Sequence, residues 1–370
     1  MKKIGGLIIQ NPKSKIKIRD VEKGEFIFFR SGKNTLCHNK KIIDGENIFL
    51  STGGTANVHY FSGDAAYSTD VFCITTDPSV CNTRYLYYKI LSMIEVINND
   101  MFKGATIKHL QKDEFKNIEF NIQPLNEQKR IVEKLDTCME QIEKAIQNVE
   151  QNIQNVEELF QSQLNEIFNR NNESYSIEIL DNLCNKTSNI KWAEHIDDEF
   201  KYVDLSSVDR VNLKIENFNY VNHKNAPSRA KKIVKTNDVI FATTRPTLKR
   251  VTRINEDFNN QLCSTGYCVL RPREDLILTD IIYYFIQTDF FMNEMEKIQK
   301  GASYPAVSDK EVKNVEISFP KDIEKQVSIS FQLNSLNEKI FDLKNSYLSE
   351  IIALNELKES ILAKAFNGEL

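Results

Sequence analysis

The sequence predicts an α+β protein in which two globular mixed α/β domains are joined by two long antiparallel coiled-coil helices, with a pseudo-two-fold internal repeat. Three observations predict this fold class. Residues 103–119 align without gaps onto residues 300–316, short β-rich runs fill the segment before each copy, and a long apolar stripe with 4-3 spacing follows each copy. The chain is therefore one unit of roughly 190 residues written twice.

The repeat extends well beyond its best-matching stretch. The motif KGAT at 103–106 matches KGAS at 300–303, and Tyr87-Tyr88 matches Tyr283-Tyr284 upstream. Residues 48–52 resemble 240–244, and the terminal segment 356–366 resembles 158–168. Both the front and the back of each unit are thus duplicated.

Each front is expected to form a compact α+β domain. Runs rich in β-branched and aromatic residues, punctuated by Gly, Asn and Asp, predict strands at 24–29, 48–52, 71–75, 239–243 and 267–270. Amphipathic patterns predict helices at 84–97 and 279–298. The paired tyrosines on these helices are interpreted as core-packing aromatics.

Each back is expected to form one long helix. No Gly or Pro interrupts residues 125–168, which predicts a coiled-coil helix of about 44 residues, or about 66 Å. A second stripe of the same spacing follows Pro320 and ends before Gly368. Neither stripe is stable in water, so the helices are expected to pair. Because domain termini usually lie close together, the second helix is expected to run back along the first.

These elements divide the chain into four predicted segments. They are a first globular domain at 1–122, a first long helix at 123–172, a second globular domain at 173–319 and a second long helix at 320–370.

Length and composition exclude several classes. The chain has 370 residues, of which 41% are hydrophobic and 27% charged, and contains no apolar run long enough to span a membrane. No apolar stretch follows Met1-Lys2-Lys3, and seven cysteines lack regular spacing. Membrane, collagen-like, disulfide-framework and disordered classes are excluded, and a reduced cytoplasmic protein is expected.

The net charge of −4 hides two basic blocks. Residues 1–41 hold eleven Lys or Arg against three acids, and residues 224–253 hold nine against one. A single such block is usually a solvated face, but one block in each half of the chain favours a polyanionic partner. The first spacer segment is acidic instead, with five basic residues against nine acids.

The motifs of an enzyme are missing from the sequence. The spacing around Gly32-Lys33 does not fit a P-loop, and no GxGxxG, GxSxG, CxxC or HExxH motif is present. The acid-x-Lys pairs at 114–116 and 311–313 lack the upstream acid of a nuclease site, and no loop of the type that grips a flipped base occurs. We therefore predict no catalytic residues, no metal ligands and no cofactor.

The chain resembles the specificity subunit of type I restriction–modification systems. The residues that carry the resemblance are PLNEQKRI at 124–131, the KGAT and KGAS elements before each helix, and LKESILAKAFNGEL at 357–370. The resemblance implies two target-recognition domains, each reading one half of a split DNA sequence. It also implies that the paired helices are a spacer and a dock for two methyltransferase subunits, with restriction and translocase subunits joining them.

Two features depart from the family pattern. The second helix opening reads PKDIEKQ at 320–326, so that its Gln comes one place late. The first domain lacks an obvious counterpart of SIEILDNL at 176–183, with which domains of the family usually open.

Glycine-rich turns let main-chain amides approach a phosphate, lysine adds charge, and arginine on guanine is the commonest specific contact. On these grounds we predict a DNA-binding set in each domain. In the first domain the set is Lys33, Asn34, Thr52, Gly53, Gly54, Thr55, Lys103, Gly104, Ala105 and Thr106. In the second domain it is Arg229, Lys231 and Lys232 on phosphates, Thr244, Arg245, Lys249 and Arg250 near base edges, and Lys300, Gly301, Ser303 and Tyr304.

Alternatives stay open at this point. A non-enzymatic coiled-coil scaffold with two repeated binding domains explains the repeat, but leaves two basic blocks as coincidence. A self-contained modification enzyme is disfavoured by the missing motifs. Residues 52–55 also fit a plain hairpin turn, and the lone Trp192 is more typical of a packing anchor than of a base-stacking residue.

Overall fold

The structure, a computed structural model, describes residues 1–169 and 174–370, which form two compact units. The first unit comprises residues 1–150 and 348–370, and the second comprises residues 151–347. The predicted fold class is confirmed: each unit holds a mixed α/β domain of similar topology, although one sheet has three strands in the first unit and four in the second, and two long helices contribute to both units. The predicted boundary at 172/173 lies outside the described residues.

The first unit places its strands in two main sheets. One is antiparallel with the order β2-β8-β5-β6, and the other has the order β4-β3-β7, with β3 parallel to β7. Its strands are β1 (Lys2–Lys3), β2 (Ile8–Gln10), β3 (Phe26–Phe29), β4 (Leu36–His38), β5 (Glu46–Ser51), β6 (Val58–Ser62), β7 (Ala65–Tyr67), β8 (Val71–Thr76), β9 (Phe102–Lys103), β10 (His109–Leu110) and β11 (Glu119–Phe120). Its helices are α1 (Thr83–Leu91), α2 (Ile94–Met101), α3 (Lys112–Lys116) and the start of α4 (Leu125–Ile167).

The second unit repeats this plan. An antiparallel sheet has the order β13-β20-β17-β18, and a second sheet has the order β15-β14-β19-β16, with β14 parallel to β19. Its strands are β12 (Ser176–Ile179), β13 (Cys184–Asn185), β14 (Glu199–Val203), β15 (Asn219–Asn222), β16 (Ala230–Val234), β17 (Val239–Ala242), β18 (Val251–Arg253), β19 (Gln261–Ser264), β20 (Tyr267–Pro272) and β21 (Glu316–Phe319). Its helices are α5 (Thr279–Phe285), α6 (Asp289–Ile298), α7 (Asp309–Lys313) and α8 (Ile323–Asn367), which continues into the first unit.

The segments predicted as helical at 84–97 and 279–298 are helical, but each is divided into two helices by a short break. In the second unit the Thr288 hydroxyl donates to the carbonyl of Phe285 at 2.7 Å and accepts the N–H of Phe291 at 3.2 Å. One hydroxyl thus ends α5 and begins α6, because such side chains compete with the helix for main-chain groups. Ser92 similarly donates to the carbonyl of Lys89 at the end of α1. The paired tyrosines pack into the core as expected, with Tyr88, Tyr283 and Tyr284 buried.

The long helices α4 and α8 run antiparallel within each unit. In the first unit Arg130 donates to the carbonyl of Leu370 at 2.6 Å, and Glu143 lies 3.8 Å from Lys358. In the second unit Glu157 pairs with Lys344 at 2.5 Å, and α4 residues near its end share a core with the first turns of α8.

The apolar stripe of α8 is only partly covered. Leu333 is buried, whereas Leu343 and Leu357 are 40% and 47% exposed. The expectation that the whole stripe is removed from water therefore fails at these positions, because a pair of helices covers one face of each helix only.

The opening of the first domain does have a counterpart of residues 176–183, contrary to the sequence analysis. Strand β1 pairs antiparallel with β11 and leads into a 3₁₀ turn at Ile4–Gly6, as β12 pairs with β21 and leads into a 3₁₀ turn at Leu180–Leu183. Ile4 and Leu180 are both fully buried. Only short paired strands and two buried side chains, Ile4 and Leu7 in the first domain and Leu180 and Leu183 in the second, repeat here, which explains why the sequence similarity is weak.

The late glutamine of the second copy occupies the same structural position as its partner. Gln128 accepts the N–H of Asn82 at 2.8 Å and donates to the carbonyl of Gln123 at 2.8 Å. Gln326 accepts the N–H of Leu278 at 2.8 Å and donates to two main-chain carbonyls at 2.9 Å. Both glutamine side chains are buried and tie the first residues of the domain helix to the start of the long helix. The additional residue that makes the glutamine of the second copy come one place late therefore lies before α8, not within it.

Across the described residues, no helix is long and apolar enough to cross a membrane.

Candidate nucleic-acid interface

Two of the predicted first-domain segments lie side by side. The β5–β6 loop contains residues 52–55, and the loop after β9 contains residues 104–108. Gly54 donates its N–H to the carbonyl of Lys108 at 2.9 Å, and Leu110 donates to the carbonyl of Thr52 at 3.1 Å. We call this contact between the two loops the loop junction of the first domain.

The third first-domain segment is attached to the same edge. Lys33 and Asn34 lie in the exposed turn between β3 and β4. The carbonyl of Asp70 accepts both the Ser31 hydroxyl, at 2.8 Å, and the N–H of Thr52, at 2.9 Å. All three predicted segments therefore share one edge of the first domain, although they are widely separated in sequence.

The second domain forms its loop junction with equivalent bonds. Arg245 donates its N–H to the carbonyl of Pro305 at 2.6 Å, and Val307 donates to the carbonyl of Thr243 at 2.9 Å. Thr244–Arg250 and Lys300–Tyr304 are thus brought together as their first-domain counterparts are. Lys300 and Ala306 also exchange two main-chain hydrogen bonds at 2.9 Å, which close the second loop.

In both domains a glycine with positive φ shapes the loop that begins Lys-Gly-Ala, at residues 103–108 and 300–305, which we call the KGA loop. Gly104 has φ 151° and Gly301 has φ 107°. A Cβ atom would lie 2.3 Å from the carbonyl oxygen of Ile107 at the first position and 3.1 Å from that of Tyr304 at the second. Glycine is favoured at both positions because it has no Cβ atom to clash where the chain turns back. The residues three places later, Ile107 and Tyr304, are exposed on these loops.

The lysine of each KGA loop is held by an acid eleven residues later. Lys103 pairs with Glu114 at 2.6 Å, and Lys300 pairs with Glu311 at 3.4 Å. Hydrogen bonds from the main chain and hydroxyl of Ser308 lower the pKa of Glu311, so this acid remains ionised beside Lys300. The acid-x-Lys pairs singled out in the sequence thus include the acids that orient these lysines.

Most of the second basic block is exposed. Within residues 1–169 and 174–370, six of its cations have no acidic partner and are solvent-exposed: Lys224, Arg229, Lys231, Lys235, Arg245 and Lys249. An array of exposed and unpaired cations is suited to phosphate oxygens.

Lys232 and Arg250 are placed differently from the other predicted contacts. The ammonium of Lys232 pairs with Asp309 and donates to the carbonyl of Tyr267 at 2.6 Å, and its side chain is only 15% exposed. Its charge is therefore used within the domain, where it links β16 to α7. Arg250 is half-buried. Trp192 packs edge-on against Phe200, as expected of a packing anchor.

Ile107 does not belong to the DNA-binding set predicted from the sequence, yet it lies at the tip of the first KGA loop and is 59% exposed. Its counterpart Tyr304 was selected and is 70% exposed. The gap-free alignment already pairs these two positions. Isoleucine carries no polar group, however, so a search for phosphate and base-edge chemistry passed over it.

No group of three or more His, Cys, Asp or Glu residues within the part of the chain that the structure describes is arranged to hold a metal ion. Two equivalent loop edges with exposed cations, carried by a duplicated domain with paired long helices, define a DNA-recognition protein with two reading domains. The chain belongs to the type I restriction modification DNA specificity family, whose domain model matches residues 1–151 and 161–353. Its role is DNA-sequence specificity.

Individual relatives agree with this assignment. The EcoBI specificity subunit of Escherichia coli is 22% identical over 96% of this chain and 79% of its own length. The EcoDI specificity subunit of Escherichia coli is 21% identical over 94% of this chain and 83% of its own length. A solved structure from work on complex assembly and conformational transition of the type I R-M system shares the fold, with a TM-score of 0.73 at 16% identity, and covers 100% of this chain and 97% of that one.

Proposed function

We propose that this chain is the DNA-binding specificity subunit of a cytoplasmic type I restriction–modification complex and carries no catalytic site of its own. Each domain reads one half of a two-part sequence in double-stranded DNA. The long helices dock two methyltransferase subunits, and restriction or translocase subunits join the same complex. The observation that carries the proposal is the loop junction, which uses the same main-chain bonds in both domains.

The charge distribution supports this division of labour. The exposed cations of the second basic block suit phosphates, which dominate affinity but carry no sequence information. The acidic first long helix would repel phosphates and suits a protein. On α8, Phe331 and Val327 are 75% and 53% exposed, and exposed apolar side chains of this size are typical of protein contacts.

The assembly part of the proposal is tested by purifying the tagged full-length chain from its native cells and identifying the proteins that come with it by mass spectrometry. We expect a methyltransferase at two copies per tagged chain. Methylome sequencing of the parent and of a strain lacking the gene then gives both half-sites. A folded, abundant chain that brings down no methyltransferase would favour the scaffold function instead.

The DNA-reading part is tested with Arg245→Ala and Lys231→Ala in the purified complex. We expect Arg245→Ala to relax base preference at one position of one half-site, because its guanidinium lies at the loop junction. We expect Lys231→Ala to weaken cognate and scrambled duplexes alike and to reduce the salt dependence of binding. Binding titrations at several salt concentrations measure both effects. Equal losses on cognate and scrambled DNA for both variants would contradict these roles.

A further inference from the structure

The two loop junctions differ at two neighbouring positions, which we call the junction pair. In the first domain the pair is Gly54 with Ile107, and in the second it is Arg245 with Tyr304. Gly54 and Arg245 donate equivalent main-chain bonds to the facing loop, and both have positive φ, of 84° and 51°. Ile107 and Tyr304 occupy the same place in the gap-free repeat. The backbone of the pair is therefore conserved between the domains while its side-chain chemistry changes completely.

Arg245 is fixed to the facing loop by its side chain as well as by its main chain. Its guanidinium carbon lies 4.4 Å from the centre of the Tyr304 ring, and its Nη2 donates to the carbonyl of Ser303 at 3.2 Å. None of the described acids pairs with Arg245, and its side chain is exposed. The Nε and Nη1 hydrogens, and the second hydrogen on Nη2, remain available to a ligand.

A guanidinium held in this way is suited to a guanine. Guanine presents two acceptors, O6 and N7, side by side in the major groove, and arginine donates to both at once. A free arginine would lose rotamer freedom on binding, whereas one that already stacks on a ring loses less. The backbone of Arg245 is fixed as well, because its φ of 51° is uncommon for a non-glycine residue and is held by the surrounding loop.

The first-domain pair has no side-chain donor. Gly54 has no side chain, and Ile107 offers an exposed apolar surface that is suited to the methyl group of thymine. The pair itself therefore has no side chain with which to select guanine through a bidentate contact, although the exposed Lys108 lies beside it in the same loop.

We propose that Tyr304 is the positioning residue for Arg245, and that the junction pair makes the two half-sites chemically different. The junction pair of the second domain selects a guanine, and the junction pair of the first domain does not. This inference rests on the proposed DNA-reading function of the two domains.

The test uses the complex purified through the tagged full-length chain. Its probes are duplexes that carry the site methylated in the parent strain, together with single base-pair changes at each position of both half-sites. Arg245→Gly is the reference variant, because Gly54 shows that this backbone position accepts glycine. We expect it to lower discrimination at one G·C pair of the second half-site by roughly 5- to 150-fold. We expect Tyr304→Ala to lower discrimination at the same pair by about 2- to 5-fold, and Tyr304→Phe, which keeps the ring, to leave it unchanged.

The possible outcomes distinguish a failure of the proposed DNA-reading function from a failure of the positioning role of Tyr304. A parent complex that binds cognate and scrambled duplexes alike would overturn the proposed function itself. If the parent discriminates but Tyr304→Ala weakens all duplexes equally, or Tyr304→Phe behaves as Tyr304→Ala does, then the positioning role is wrong. A second half-site without a G·C pair overturns the inference directly.

Ile107→Ala serves as the matched variant in the first domain. We expect it to leave discrimination in the second half-site unchanged and to reduce discrimination at no G·C pair of the first half-site by more than about twofold. A larger loss at such a pair would show that both junctions read guanine and would overturn the proposed difference.

Discussion

Each domain is joined to its long helix by a polar cluster, and the two clusters use the same backbone positions with different charges. In the first unit Asp136 of α4 accepts the Tyr88 hydroxyl at 2.6 Å and pairs with Arg84 of α1, also at 2.6 Å. In the second unit the corresponding position of α8 is Asn334, eight residues after Gln326 as Asp136 is eight residues after Gln128. Asn334 accepts the Tyr284 hydroxyl at 2.8 Å.

The charges of the second cluster come from other elements. Asp280 of α5 takes the place of Arg84 and accepts the side-chain N–H of Asn334 at 2.7 Å, while Arg253 of β18 pairs with Asp280. The acid has thus moved from the long helix to the short helix, and the arginine from the short helix to a strand. The comparison teaches that the repeat conserves backbone positions and hydrogen-bond connectivity, while charges can be exchanged as long as every partner changes with them.

The largest effect on stability is expected where the contacts between domain and long helix are the same in both units, at the buried glutamines. Gln128→Ala and Gln326→Ala each leave a part-buried N–H and at least one main-chain carbonyl without the partner that the glutamine provides. Each change is expected to lower the free energy of unfolding of its unit by about 2–4 kcal/mol. Chemical denaturation measures the loss, and hydrogen–deuterium exchange shows which unit opens first.

Exposed glutamines on the same helices provide the controls for this prediction. Gln147→Ala on α4 and Gln332→Ala on α8 remove exposed side chains and are expected to change the unfolding free energy by less than about 0.5 kcal/mol. If the buried and exposed substitutions cost the same, then the glutamine side chains do not hold domain and helix together.

Much of this fold could be predicted from the sequence, because its strongest determinants are periodic or repeated. The stripe through Leu135 and Met139 and the absence of Gly and Pro indicated α4, which runs from Leu125 to Ile167. The opening of the first domain was missed because it depends on main-chain pairing of Lys2–Lys3 with β11, and such pairing places few demands on side chains.

The candidate site was only partly predictable for a related reason. Glycine and lysine composition indicated the loops, but the bonds that join them are donated by the main chain of residues such as Gly54 and Arg245. Nothing in the sequence indicates that Lys232 turns inward to Asp309, or that Arg245 stacks on Tyr304, because each contact depends on where a distant loop folds back.

Smaller effects are expected where the two clusters differ. Asp136→Asn gives the first long helix the side chain of the second and leaves Arg84 without its carboxylate. Because both partners are about one-third exposed, the expected loss is only about 1 kcal/mol, measured as the shift in denaturation midpoint. Added salt should reduce the difference, since it screens the ion pair in the parent protein. A loss that salt does not change would mean that packing, and not charge, distinguishes the two clusters.

The reverse change, Asn334→Asp, should reveal the charge arrangement of the second cluster through pH. It removes the amide donor to Asp280 and places a second carboxylate beside it, while the guanidinium of Arg253, whose Nη1 donates to Asn334 Oδ1 at 3.1 Å, offsets part of the repulsion, so that the expected loss is about 1 kcal/mol at neutral pH. In this variant we expect the repulsion between the two carboxylates to outweigh the attraction of Arg253 and to raise the pKa of one carboxyl group above its unfolded value. The destabilisation is therefore greatest above that folded pKa and shrinks as the pH falls through it, because the bound proton restores a donor between the two groups. Asn334→Ala is the uncharged comparison: it loses the donor to Asp280 and also the acceptor of Tyr284 and Arg253, and its deficit relative to the parent should vary less with pH. If both variants respond to acid equally, then the introduced charge is not what destabilises this polar cluster.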